Sequence, residues 1–430
     1  MSTLEFANIL LNNIESYYLI LIFISPLYIY IIYRKALGIF DPLTFAITGS
    51  MFATATAVFI LRIDPTAENY IFSFFSTELL FLIGFLLVAP NAILIDFSQR
   101  KYTVVEKFTI DSSVNLLLLV LFYMVLKIIQ YLIVGIPLLT YNRLNMASGG
   151  LGVFQTLSTA LLPLLCLRVY KQFTQKGKNK ITAYGALCII ITTILMDGSK
   201  AGVLIATQMF FMCSVMFKTD GEKLGHKYRL SSKMKIVIFF AALSPLALNI
   251  FTKFDDVADG LYSIAFRVVA FGDIYYQSYS NKVIETISSK YSMFDILYPL
   301  LATFKLVAID ADRYSVGEIL TQTVESSFEG GGSNARINII SYLVFENLGF
   351  IFSFAAGLLI GLLRKTLTMK TSNNVKKTYI YIAAIFASII WTDLSNGLVL
   401  GVLMFAATSF WLAFEYILFF SVKKVERTYC

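Results

Sequence analysis

The chain has 430 residues, of which 57% are hydrophobic and 14% charged, with a formal net charge of +8. A soluble domain carries about 25% charged residues, so the composition excludes a water-soluble enzyme and calls for a chain immersed in lipid. On such a chain an excess of Lys and Arg reports membrane orientation, and no nucleic-acid partner is expected.

Crossing a hydrocarbon core takes about 20 largely apolar residues. Eleven runs approach this, near 17–33, 43–61, 71–95, 113–133, 153–170, 181–196, 201–217, 236–251, 337–363, 378–392 and 397–420. The first has no Lys or Arg ahead of it and ends in Tyr33-Arg34-Lys35, so it reads as a signal anchor and not a cleaved signal peptide. Alternate loops hold 23 of the 35 basic residues, whereas the opposite short loops hold only Arg62, Arg143 and Lys200. The positive-inside rule then puts the N-terminus outside, the C-terminus inside and the long loop 252–336 outside. The expected fold is an all-α polytopic membrane protein of about eleven transmembrane helices. It forms a single integral membrane domain over 1–430, with one large external loop at 252–336.

The four cysteines show no C-x-x-C or zinc spacing. The lone histidine, His226, falls in an inner loop. No metal, no cofactor and no histidine-based triad are expected on the outer face. No inverted repeat of the transporter kind is visible in the sequence.

Charged and polar groups inside spans are costly and are candidates for function. Glu78 lies about 10 Å below the outer end of the third run, and Lys127 about 21 Å up the fourth. Their similar depth makes an ion pair tying two helices the favoured reading. Glu346, nine residues into the run at 337–363, reads as facing a polar cavity open to the outside. Arg168 and Glu415 sit near inner span ends and read as snorkelling. The runs at 181–196 and 201–217 are short, about 24–26 Å. Their tip, Asp197-Gly198-Ser199-Lys200, is expected to be recessed, with Lys200 either lining a pocket or contacting Asp197. The tip Asp393-Leu394-Ser395-Asn396-Gly397 follows a similarly short run.

Within the long loop, Leu261, Ile264, Ala265, Val268 and Val269 recur at helical spacing, with Arg267 flanking the stripe. Phe294–Ile309 is apolar but broken by Pro299 and Lys305, and is expected to lie as an interfacial or re-entrant helix. Asp310 and Asp312 stand beside Arg313, with an internal contact favoured over a metal site. The segment Glu329-Gly-Gly-Gly-Ser333-Asn334-Ala-Arg336 runs into the next span. Its glycines permit a sharp turn, Ser333 or Asn334 can cap the helix, and Arg336 with free N–H groups makes an anion site. A flexible linker with a routine cap is the alternative. Arg143, Lys200, Arg267, Arg313 and Arg336 give the outer face several separated cations, and the arginine fork suits phosphate.

Several segments resemble the bacterial O-antigen polymerases of the Wzy type. They are Tyr141-Asn-Arg143 with its following glycines, Asp197-Gly-Ser-Lys200-Ala-Gly202, Arg267-Val-Val-Ala-Phe-Gly272-Asp273-Ile-Tyr275-Tyr276, and Gly331-Gly-Ser-Asn334 leading to Glu346-Asn-Leu-Gly349. Lys200 stands where arginine is more often expected. The resemblance covers most of the chain. It implies a GT-C-like polymerase-ligase architecture in the inner membrane with a periplasmic active site.

The implied reaction moves a glycan from undecaprenyl pyrophosphate onto the terminal sugar of another lipid-linked repeat unit. A chain-length-regulating co-polymerase and membrane lipid are the implied partners. Arginines stabilise the pyrophosphate leaving group without a metal, and a carboxylate serves as base because no outer histidine exists. Asp273, Arg267 and Arg336 are the expected catalytic groups, with Asp310, Glu318 and Glu346 as rival bases. Arg143, Lys200, Arg313, Asn334, Tyr275 and Glu346 are the expected substrate contacts. Tyr275, Tyr276 and Tyr279 stack on sugars or form an interfacial belt. The alternatives are a lipid-linked oligosaccharide flippase or transporter, an O-antigen ligase, and a glycosyltransferase that adds single sugars.

Overall fold

A computed structural model describes residues 1–95, 112–137, 152–174, 180–197, 202–217, 270–288, 291–304, 306–307, 316–324, 333–371 and 373–429. Every regular element among them is helical. Among the described residues, seven helices are long and apolar enough to cross a membrane, which fits a polytopic helical membrane protein. The chain divides into two compact units.

The first unit comprises Met1–Ile95, Leu246–Thr368 and Ala384–Val399. It opens with α1 (Thr3–Asn12), started by a reciprocal cap in which Ser2 and Glu5 each satisfy the other's backbone N–H. The spans α2 (Ile14–Lys35), α3 (Pro42–Ile63) and α4 (Ile71–Val88) follow. Asp41 caps α3 by accepting from Leu43 N, and it also takes the buried guanidinium of Arg364 on both oxygens. The Lys35 ammonium sits on the carbonyls of Leu86 and Ala89, the acceptors that the end of α4 leaves unpaired.

Numbering the described helices in chain order, the second unit's are α5 (Ser112–Val134), α6 (Gly152–Thr174), α7 (Ile181–Met196) and α8 (Gly202–Met216). The loop helices α9 (Asp273–Tyr279), α10 (Val283–Ser288), α11 (Met293–Thr303) and α12 (Val316–Val324) belong to the first unit. At 11 residues, α11 is too short to span, as Pro299 and the interrupted apolar run predict. The run at 337–363 is not one continuous helix. It is α13 (Ile337–Phe345), a 3-10 turn at Glu346–Leu348, and α14 (Gly349–Lys365). Glu346 breaks it with φ of 45°: its N–H still donates to the Tyr342 carbonyl, but the positive φ turns the chain out of the helix.

The α4–α14 crossing is close because both helices offer glycine at the contact. A Cβ on Gly357 would lie 2.1 Å from the Phe81 carbonyl, and one on Gly84 would lie 2.4 Å from that of Phe354. Lipid gives no hydrophobic gain for helix association, so such close backbone packing supplies much of the cohesion.

The second unit comprises Asp96–Pro245, Met369–Ala383 and Leu400–Cys430. The helices α15 (Asn374–Thr392) and α16 (Leu394–Tyr429) contribute residues to both units. In the second unit Trp411 Nε1 donates to Asn115, and Tyr381 donates to the carbonyls of Pro163 and Met209. Helices α7 and α8 have 16 and 15 residues, as short as the sequence implies. The apolar run at 236–251 and the stripe at 261–269 lie outside the described residues.

Two expectations for charged groups are corrected here. Lys127 is paired with Asp197 at 2.5 Å and not with Glu78, and it also donates to Gln130. Tyr131 donates to the other oxygen of Asp197 at 2.9 Å. Arg168 and Glu415 do not snorkel separately but pair with each other, both largely buried. Equal depth in a bilayer does not fix which helix faces which, and a carboxylate at the right azimuth wins.

Candidate functional site

In the first unit, one cluster gathers side chains from five helices around Arg336. The segment Ser333–Arg336 enters α13, and Arg336 is its N-cap residue with extended backbone, φ −70° and ψ 147°. This turns the side chain back into the unit, where Arg336 is only 3% exposed. Its Nη1 donates to Ser50 Oγ at 2.8 Å and its Nη2 to the Phe271 carbonyl at 3.2 Å. Trp391 Nε1 donates to the same Ser50 oxygen at 2.7 Å. The buried Nε of Arg336 has no hydrogen-bond partner. Among the described residues Arg336 makes no ion pair, although Asp273, Glu78 and Asp393 are all near enough to feel its charge. A buried guanidinium left partly unsatisfied is costly.

Asp273 begins α9, and its Oδ1 accepts from the N–H of Ile274 at 2.8 Å. Gly272 brings this segment close to α3: a Cβ there would lie 2.5 Å from the Cβ of Thr56. Asp273 is half-buried. Burial pushes its carboxyl up to about 7, against the opposing pull of the Ile274 N–H, Arg336 and Ser333. Asp393 lies beyond the end of α15 and caps α16 by accepting from Asn396 N at 3.0 Å and Asn396 Nδ2 at 2.9 Å. Burial raises its carboxyl above the usual range as well. The Leu394 N–H donates to the Ala335 carbonyl, so this tip is stitched to the Arg336 segment.

Glu78 projects from α4 toward α2, α3 and α13. Its Oε1 accepts from Tyr28 at 2.5 Å and from Thr54 at 3.4 Å, and its Oε2 accepts from Asn338 Nδ2 at 2.6 Å. The Asn338 carbonyl takes the Tyr275 hydroxyl at 2.7 Å. Arg336, Asn338, Glu78, Ser50, Tyr275 and Trp391 line a cavity with room for about one water molecule. Among the described residues, no group of three His, Cys, Asp or Glu side chains is placed to hold a metal ion.

The structure thus brings together Arg336, the Asp273 segment and Tyr275. Asn334 is exposed, two residues before Arg336. Glu346 is exposed at the break before α14 and does not line the cavity around Arg336. Glu318, half-buried on α12, has its carboxyl raised by burial. Arg143, Lys200, Arg267, Asp310 and Arg313 lie outside the described residues, so the expected convergence of Arg143 and Arg267 on Arg336 does too.

The tyrosines are not open platforms for sugars. Tyr275, Tyr276 and Tyr279 are each 1% exposed. Tyr276 stacks on Phe6 at 4.2 Å and Tyr279 on Tyr70 at 4.9 Å, while Tyr275 meets Phe74 edge-on. They pack α9 against α1, the turn before α4 and α4 itself.

Sequence reasoning missed Ser50, Asn338 and Trp391 as partners. Asn338 was the most findable, two positions beyond Arg336 on the same helix. Trp391, one of only two tryptophans, stands two residues before Asp393. Comparison of the chain with models of protein families, with curated proteins and with solved structures found no match.

Proposed function

We propose that the protein is a membrane glycosyltransferase of the oligosaccharide-polymerising kind. It would use a glycan carried on undecaprenyl pyrophosphate as donor, at the periplasmic face of the inner membrane. The observation that carries the reading is the buried Arg336, which has an unpartnered Nε, lies at the head of α13 and, among the described residues, is joined to no carboxylate. A guanidinium in that state is prepared for an anion that the protein does not itself supply. The free space beside it holds about one water molecule and is too small for a sugar ring, so the proposed contact is to the donor's phosphate and not to its glycan.

In the reaction, the acceptor sugar hydroxyl attacks the anomeric carbon of the donor glycan. The new carbon–oxygen bond forms as the bond to pyrophosphate breaks, and the electron pair leaves with the carrier pyrophosphate. Arg336 stabilises that developing charge. Asp273 takes the hydroxyl proton, a role for which a carboxyl poised near 7 is suited. Arg143, Arg267, Lys200 and Arg313 belong to the same proposal as further contacts to the phosphates and the glycan. A chain-length-regulating co-polymerase is the proposed protein partner.

The test is a gel of the cell's lipid-linked glycans. Deleting the gene should leave single repeats without a ladder, and Arg336→Ala should do the same while the protein still accumulates in the membrane. Arg336→Lys should restore only short ladders, since a point charge keeps attraction but loses the fork. A normal ladder from Arg336→Ala removes the reading. Loss of all surface repeats on deletion favours a flippase or ligase.

A further inference from the structure

Glu78 is a carboxylate in mid-span that touches no cation among its described partners. It accepts from Tyr28, Thr54 and Asn338. A carboxylate can only accept, so it fixes which way each of these donors points. The consequence is greatest for Asn338. Its amide nitrogen must face Glu78, and its carbonyl is thereby presented to the Tyr275 hydroxyl, which donates to it at 2.7 Å. Asn338 stands two residues after Arg336 in the first turn of α13. Tyr275 stands two residues after Asp273 in the first turn of α9. The two segments that carry the proposed reacting groups are therefore tied, through one amide, to one carboxylate in α4.

We infer that Glu78 is a positioning residue, which through Asn338 and Tyr275 holds the first turns of α13 and α9, and with them Arg336 and Asp273. The inference rests on the proposed reading of Arg336 as the site for the donor's phosphate. Glu78 does not touch the reacting atoms. Its hydrogen bonds, and not its charge or basicity, are what the site uses.

The test compares Glu78→Ala, Glu78→Gln, Asn338→Asp and the double variant Glu78→Gln/Asn338→Asp, with Arg336→Ala as control. Each full-length protein is checked for membrane accumulation, for its glycan ladder in cells, and for affinity for inorganic pyrophosphate in lipid nanodiscs. Glu78→Ala frees Asn338 and should weaken turnover by about 100-fold, the cost of a misplaced catalytic group. Glu78→Gln keeps an acceptor toward Asn338 and should lose no more than about tenfold, the scale of one altered hydrogen bond. Asn338→Asp sets two carboxylates against each other and should lose both ladder and pyrophosphate affinity. The double variant swaps amide and carboxylate, re-forms the bond, and should regain both.

A dead Glu78→Gln, or a double variant no better than Asn338→Asp, would overturn the inference, because Glu78 would then act through its charge. A normal Glu78→Ala would overturn it as well. If Asn338→Asp fails to accumulate, Glu78→Gln and Glu78→Ala decide alone. Unchanged pyrophosphate affinity in Arg336→Ala is a different failure: it sinks the anion-site reading itself, whatever the Glu78 series does.

Discussion

The second unit and the Arg336 cluster treat buried charge in opposite ways. In the second unit Lys127 meets Asp197 directly, Tyr131 fills the second oxygen of that aspartate, and Arg168 meets Glu415. Each of these charges meets an opposite charge, and such pairs hold helices together, although the buried Nε of Arg168, like that of Arg336, has no hydrogen-bond partner. Around Arg336 the carboxylates of Asp273, Glu78 and Asp393 accept from other donors, and the guanidinium rests on a hydroxyl and a carbonyl. Among the described residues Arg336 meets no carboxylate, and the proposed anion site rests on that difference. The first unit contains its own control, the fully buried Asp41–Arg364 pair.

The largest expected effect breaks that control. Arg364→Met leaves Asp41 buried without its cation and should cost roughly 3–5 kcal/mol of stability, read as a lower unfolding temperature in detergent and poor accumulation. Arg336→Met should do the reverse to the fold, because it removes an unpaired buried charge and keeps the volume. Its unfolding temperature should hold or rise while turnover falls by about 10²–10³-fold, the cost of losing one donor to a developing anion. Equal destabilisation by the two substitutions would erase the distinction between the sites.

A third prediction concerns Asp273. As the base it must be deprotonated, so turnover should climb with pH up to about 7 and level off above, and Asp273→Asn should lower and flatten the profile. The linkage has the opposite sign for stability. Between the ordinary carboxyl range and about 7 the folded state holds a proton that the unfolded chain has lost. Stability should therefore fall as pH rises through that window, and Asp273→Asn should abolish the slope. The smallest effect is Tyr275→Phe, which strips one donor from the Asn338 carbonyl and should cost about 1 kcal/mol, with a modestly shortened ladder.

Apolar runs made most spans legible, because a helix in lipid must be apolar over its length. The break at Glu346 was not legible. It comes from a left-handed glutamate and from Gly349 packing so tightly on Ser341 that a Cβ would sit 2.6 Å from its carbonyl. Arg336 was legible because three glycines and an arginine share one short segment, but the expected cap by Ser333 or Asn334 is not formed: Arg336 itself stands at the N-cap and the Ser333 hydroxyl bonds Gln277. Glu78 was legible as a costly residue, but its partners were not. Depth along a helix can be counted from sequence, whereas the neighbour across the interface depends on packing that only the folded chain reveals. The Ser50 oxygen shared by Arg336 and Trp391 joins residues 286 and 341 positions apart, and no local pattern encodes that.

The bond from Asn338 to Glu78 also sets a timetable for biogenesis. The two residues are 260 positions apart, and at 5–20 residues per second the ribosome needs roughly 13–50 s to bridge them. Tyr28 and Thr54 precede Glu78 in the chain and are already in place when it enters the bilayer. For that interval they are its only shelter among the partners it will finally have. A span carrying a carboxylate must therefore be tolerated by the insertion machinery in half-finished form, and Tyr28 and Thr54 serve the nascent chain before they serve the finished one.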